Sequence, residues 1–314
     1  MLSALNEKGQ LIHLIDQLPA QQSFTCPVCL SALRLKKGQI MRPHFAHVSR
    51  KNCPFFQENE SAEHLSLKAA LYQSLVADAS VQVEVFLPEM KQLADLLVNE
   101  ELAIEVQCSR LSQKRLRERS QSYRQNGYQV LWLLGEKLWL GKTISLLQKD
   151  FLYFSQNMGF HLWELDWGKR VLRLKYLIYE DRKGRLHYLE KSCSFGPGLL
   201  AFLRLPFSSQ PLPFYRTVSD RNLLSFIQQR LYYRDSRWLA LQEQAYQQGE
   251  NLLSKSLEAY YPQIRPLDCP LGFCQISQDL SVFSQDFFSY YQGQRDKSYQ
   301  TLYPPAYYRR MKED

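Results

Sequence analysis

The chain has 314 residues, 45% of them hydrophobic, and a formal net charge of +8 at pH 7; this is enough for two or three compact units of ordinary composition. No apolar run reaches the ~18 residues of a membrane span, and the N-terminus lacks the apolar stretch of a secretion signal. Seven cysteines, an odd number, argue against a disulfide framework; the expected setting is the cytoplasm, and the excess of basic groups points to a polyanionic partner.

Residues 1–56 read as a small β-rich unit, with a strand at Leu11 to Ile15 and a hairpin from Ala32 to Met41 turning at Lys36-Lys37-Gly38. So short a piece has a poor core and needs a staple. Cys26-Pro27-Val28-Cys29 places two sulfurs on one side of a tight turn, and His44, His47 and Cys53 follow at the spacing of a second pair. Five candidates compete for four tetrahedral places. The favoured set around a structural Zn2+ is Cys26, Cys29, His47 and Cys53, with His44 as alternate ligand. The competing reading is a redox pair, or cysteines that merely pack.

From Glu60 the pattern becomes helical, with Leu65, Leu67, Ala69, Leu71, Tyr72 and Leu75 apolar and His64, Lys68 and Gln73 polar. Strands are expected near 81–87, 91–98 and 102–107, a helix near 111–126 stopped by Gly127, and a strand from Tyr128 to Leu134. This order makes residues 57–150 an α/β sandwich. Within it, the runs around Asp95 and Glu105 are apolar on both faces, as in buried strands, and Asn99-Glu100-Glu101 between them is a turn. A three-residue turn sets Asp95 opposite Glu105, with Cβ atoms roughly 5 Å apart. Burying that pair costs several kcal/mol unless a cation intervenes or one acid stays protonated, which points to a divalent metal held by oxygen ligands. Gln107 lies two residues after Glu105, on the same face. The next helix carries Arg110, Lys114, Arg115, Arg117, Arg119 and Arg124 against one acid, Glu118. That density suits a track for a phosphate backbone, although a solvated basic face would look the same.

Residues 151–314 form a C-terminal domain, strands first and then helices. Trp163 to Trp167, Val171 to Glu180 and Arg185 to Ser194 read as strands, and a long polar helix is expected from about Ser219 to Ala259, with a possible break near Gly249. Tyr232-Tyr233-Arg234, Ser289-Tyr290-Tyr291-Gln292 and Tyr307-Tyr308-Arg309-Arg310 interleave aromatic with polar and basic groups, which serves either stacking on single-stranded bases or a packed core.

An acid on one strand followed by Glu-x-Gln on the next resembles the core of the PD-(D/E)xK nucleases. The order Cys-x2-Cys, Pro43-His44-Phe45-Ala46-His47, Glu63-His64, Ala94-Asp95-Leu96-Leu97, Ile104-Glu105-Val106-Gln107-Cys108-Ser109, Tyr123 and Val130 to Leu134 resembles the CoiA family of competence proteins. The resemblance covers about the first half of the chain. It implies an α/β core of PD-(D/E)xK nuclease-like type, with a zinc-stapled β-rich unit before it and a mixed β/α-helical C-terminal domain after it. The implied activity is metal-dependent DNA hydrolysis, with Asp95 and Glu105 holding Mg2+ or Mn2+ and Glu63 as a further ligand. Gln107 stands where the nucleases often carry Lys; it can hold a water but supplies no charge to the transition state. The implied setting is natural transformation, with single-stranded DNA and RecA or other recombination proteins as partners. The rival is a non-catalytic DNA-binding accessory or RecA-loading factor that retains the nuclease fold.

Overall fold

The computed structural model describes residues 1–15, 18–20, 23–38, 41–49, 53 and 60–313. Five short strands, β1 (Ser3–Leu5), β2 (Leu11–His13), β3 (Phe24–Thr25), β4 (Ala32–Lys36) and β5 (His44–His47), make an antiparallel sheet in the order β2-β1-β3-β4-β5. The second arm of the expected hairpin begins at His44 rather than before Met41, and part of the turn, residues 39 and 40, lies outside the described residues. The core is small, as anticipated: Ala4, Leu14, Phe24, Leu33 and Phe45 pack with Cys26 and Cys53.

The second region starts with α1 (Ala62–Leu75), capped by the Ser61 hydroxyl, which accepts from His64 N. Strands β6 (Val81–Leu87), β7 (Gln92–Val98) and β8 (Leu102–Gln107) follow, then α2 (Gln113–Gln125) and β9 (Gln129–Leu134). Asn99 and Glu100 take left-handed backbone, φ +49° and +61°, and close a three-residue loop that pairs Val98 with Leu102 and Leu96 with Ile104. The helices cover opposite faces. Leu65, Leu67 and Leu71 of α1 pack with Leu96, Val98, Ile104 and Val106, whereas Tyr123 of α2 packs with Leu97 and Ala103, the alternate residues of the same strands.

The sheet runs on across residue 150, where a boundary was expected. After α3 (Leu146–Lys149), the strands β10 (Tyr153–Ser155), β11 (Gly159–Asp166), β12 (Val171–Asp181) and β13 (Leu186–Ser194) extend it to the order β13-β12-β11-β9-β8-β7-β6. The joint is a parallel pairing of Trp163 with Leu133 and Glu164 with Leu134. Every residue of β11 is buried, as a strand covered on both faces must be.

Beyond it come α4 (Leu199–Arg204), β14 (Tyr215–Val218), α5 (Leu223–Tyr232), α6 (Ser236–Gln247), β15 (Ile264–Pro266), α7 (Ser281–Gln292), β16 (Tyr299–Leu302) and α8 (Pro305–Glu313). The long helix is therefore two helices and two short 3-10 turns. The first break falls at Arg234, φ +54°, after which the Asp235 carboxylate accepts from Arg237 N and Trp238 N and starts α6. Tyr290, Tyr291, Tyr303, Tyr307 and Tyr308 pack on one another as core; Tyr232 and Tyr233, in contrast, are 80% and 70% exposed. Among the described residues no helix is long and apolar enough to cross a membrane.

Candidate functional site

The knuckle between β3 and β4, the end of β5 and Cys53 meet at one point. Cys26, Cys29, His47 and Cys53 each offer a ligand atom, and these atoms lie within 4.8 Å of one another; Cys29 Sγ is 3.4 Å from His47 Nε2. Three sulfurs and one imidazole so placed could hold a metal ion, as the donor sets of closed, structural sites do. His44 is outside it, with Nδ1 3.1 Å from Arg42 O.

The β7–β8 register holds as far as Leu96 and Ile104, then stops one rung short of Asp95 and Glu105. Asp95 Oδ2 accepts from Val106 N (2.9 Å), so the side chain takes an amide that would otherwise serve the ladder. On its other side the β6–β7 ladder skips the rung between Glu84 and Asp95, where Glu84 has φ +52°. The twist presents both carboxylates to α1. Lys68 Nζ, 1% exposed, contacts Glu84 Oε1 (2.7 Å), Asp95 Oδ1 (3.3 Å) and Glu60. His64 Nε2 is 3.1 Å from Asp95 Oδ2, and its Nδ1 is 3.3 Å from Glu60 Oε1. Glu84 also accepts from Leu2 N (2.8 Å) and Ser3 N (2.8 Å), tying the first strand of the N-terminal sheet to this network. Burial is the largest single influence on the His64 imidazole and lowers it, but the Asp95 charge together with the hydrogen bonds to Asp95 and Glu60 outweighs burial and brings the ring up to about 9. Burial likewise works against the Asp95 carboxylate, yet His64 and Lys68 hold it far below the usual range.

Glu105, 3% exposed, turns to α2 instead. It accepts from Arg119 Nη2 (2.7 Å) and from the Tyr123 hydroxyl. A divalent metal between two opposed acids was expected; instead the two turn to different helices and each meets side-chain cations, Lys68 and His64 for Asp95 and Arg119 for Glu105. Both acids still line one cleft of about 680 Å3, which Lys36 and His44 border on the N-terminal side and Arg115 and Arg119 on the α2 side. Glu63 and Gln107 do not line it. Glu63 Oε1 accepts from Glu136 N (3.2 Å), and Gln107 Nε2 donates to Ser109 O (2.6 Å).

The six cations expected on the basic helix divide, and Arg110 falls before its first residue, Gln113. Arg119 pairs with Glu105; Arg117 binds Asp150 and donates to the carbonyls of Leu271 (3.1 Å) and Gly272 (2.7 Å); Arg124 donates to Cys274 O (2.8 Å). Arg110, Lys114 and Arg115 are exposed, and Arg115 borders the cleft. Glu60, Lys68 and Glu84 went unread as site residues. The signals were there: Lys68 falls three residues after Leu65 and three before Leu71, on the buried side of α1, and Glu84 interrupts an apolar strand as Asp95 does.

An α/β sheet with two carboxylates and a basic helix at one cleft, joined to a Cys/His unit, describes a protein with a nuclease-like domain. Residues 60–192 match the family model "Competence protein CoiA, nuclease-like domain", and residues 9–56 match "Competence protein CoiA, N-terminal domain". Together these span more than half of the chain, which belongs to the CoiA family. Over 159 residues it is 32% identical to "Competence protein CoiA" of Bacillus subtilis (strain 168), a match covering 48% of this chain and 40% of that protein. No solved structure matches.

Proposed function

We propose that this protein processes DNA in natural transformation, binding a single strand in the cleft and hydrolysing it slowly with a divalent metal, in the manner of the PD-(D/E)xK nucleases. The observation that carries this reading is that Asp95 and Glu105 line one cleft with Arg115 and Arg119. Carboxylate oxygens suit Mg2+ or Mn2+, and Glu60, His64 and Asp95, with ligand atoms within 4.8 Å of one another, extend the donor set. When bound, such a metal polarises the phosphate and lowers the pKa of a water. Arg115 would seat the backbone phosphate. Lys68 keeps Asp95 ionised and oriented. The Cys26, Cys29, His47 and Cys53 set takes zinc and holds the N-terminal wall of the cleft. The setting is the recombination of imported strands, with RecA or a related protein as partner.

Incubating the protein with labelled single- and double-stranded DNA in EDTA, Mg2+ and Mn2+ tests this. We expect metal-dependent cleavage that Asp95→Ala and Glu105→Ala abolish. A second reading, a non-catalytic accessory that binds DNA or loads RecA, is favoured by the closure of Glu105 under Arg119 and Tyr123 and by the turn of Gln107 away from the cleft. DNA binding without cleavage, by both the parent and Gln107→Lys in Mn2+, decides for it.

A further inference from the structure

A second group of cations shares no residue with the cleft. Arg265 of β15 stands opposite Glu180 of β12, and Arg182 N donates to Gln263 O (3.1 Å), continuing the register. Arg182 and Arg265 are therefore diagonal neighbours on one face. Arg237, in the first turn of α6, reaches over the β12–β13 turn: a Cβ on Gly184 would lie 3.2 Å from its Nη1. Among the described residues, no carboxylate comes within ion-pair distance of these three side chains, although Glu180 and Asp268 are near enough to Arg265 to offset part of the effect of burial and of Arg237 on it. Arg182 donates instead to the carbonyls of Tyr260 (3.3 Å) and Pro262 (3.5 Å), and the buried Arg265 Nε has no hydrogen-bond partner. Burial, followed by the charges of Arg265 and Arg237, brings the Arg182 guanidinium down to about 10.

Lys183, next to Arg182, lies over the Phe226 ring (5.0 Å) and lines a surface hollow with Tyr232 and Tyr233. Lys183, which also pairs with Asp220, follows Arg182 in the chain, and Arg237 follows Tyr232 and Tyr233 by a few residues, so the chain itself brings the arginine group and the exposed tyrosines near one another. We propose that together they form a second nucleic-acid site, in which Arg182, Arg237 and Arg265 grip one backbone phosphate of a single strand and Tyr232 and Tyr233 stack the bases beside it. Three crowded guanidinium groups call for an anion, and a phosphate accepts from several N–H donors at once. Exposed rings stack on unpaired bases irrespective of sequence, whereas the bases of a duplex are already stacked. The choice of nucleic acid among phosphorylated ligands rests on reading the protein as a DNA-processing one; the arginine group itself does not.

The test is fluorescence anisotropy of the full chain with a labelled oligo-dT of about 20 nucleotides and a duplex of equal length, across a salt series. Arg237→Gln should weaken oligo-dT binding roughly fivefold or more and reduce the salt slope by about one, with Arg237→Lys restoring the slope. Tyr232→Ala with Tyr233→Ala should weaken oligo-dT binding by about 5- to 100-fold at unchanged slope and leave the duplex nearly unaffected. Circular dichroism would exclude misfolding of these exposed-site variants. Variants that bind oligo-dT as the parent does, or tyrosine substitutions that weaken single strand and duplex alike, overturn the proposal. Arg115→Ala, measured in parallel, separates the two sites: loss there alone leaves the cleft and removes the second site, and loss only in the Arg237 and tyrosine variants does the reverse.

Discussion

Lys68 shows how much one side chain can organise. Its ammonium is enclosed by Glu60, Glu84 and Asp95, so removing it leaves uncompensated buried acids. Lys68→Met should cost about 3–5 kcal/mol in urea unfolding, and adding Glu84→Gln should restore part of it, because the two act on one network. His161 is the reverse case, a neutral group in a dry place. Burial lowers its imidazole to about 4 against the weaker pull of the Gly159 carbonyl, while in the unfolded chain it titrates near 6.5. The unfolded state therefore takes up the proton first. The stability this histidine contributes is complete above about pH 6.5 and is lost as pH falls through about 4, a loss on the order of 3 kcal/mol. Unfolding midpoints measured across that window should decline, and His161→Phe should flatten the decline. Asp95 and Glu105 were legible in the sequence because each breaks an apolar run. Their partners were not, since which helix reaches a strand residue depends on packing and not on local pattern.

Helix α2 serves two purposes along one length. Arg117 and Arg124 are seven residues apart, hence on one face, and both hold the segment from Leu271 to Cys274. The face was readable, but its partner lies some 150 residues downstream and no local signal names it. Arg117→Ala strips the cation from the buried Asp150 and should cost about 3–5 kcal/mol of stability. Arg110→Ala with Lys114→Ala should leave unfolding almost unchanged, within about 0.5 kcal/mol, and lower DNA affinity evenly across sequences with a shallower salt slope. Equal stability losses in both variants would erase the division. The strands β6 and β8 and the turn at Asn99 were legible from alternation and turn chemistry. The helix expected from Ser219 to Ala259 was not, because Tyr233-Arg234-Asp235 carries no Gly or Pro and its break comes from a capping carboxylate.

The whole molecule is coupled through its least helpful-looking piece. The N-terminal sheet has few core residues yet meets the nuclease-like sheet through Glu84 and the amides of Leu2 and Ser3. Cys29→Ser should abolish the bound metal, read by elemental analysis, and make residues 1–56 sensitive to protease. Because Glu84 also holds Lys68, the change should reach the cleft as weakened DNA binding. The β-rich unit and the meeting of Cys26, Cys29, His47 and Cys53 were legible from cysteine spacing, but the run of the sheet across residue 150 was not: parallel pairing between β9 and β11 leaves no turn in the sequence to announce it. A chain cut at residue 150 would bare the backbone edge of β9 together with Trp132, Leu133 and Leu134, and would strip Arg117 and Arg124 of the carbonyls they hold. An open apolar edge of that kind recruits other chains. Residues 1–150, which hold only part of the region matched by the competence family, up to residue 192, are therefore expected to precipitate when produced without the rest.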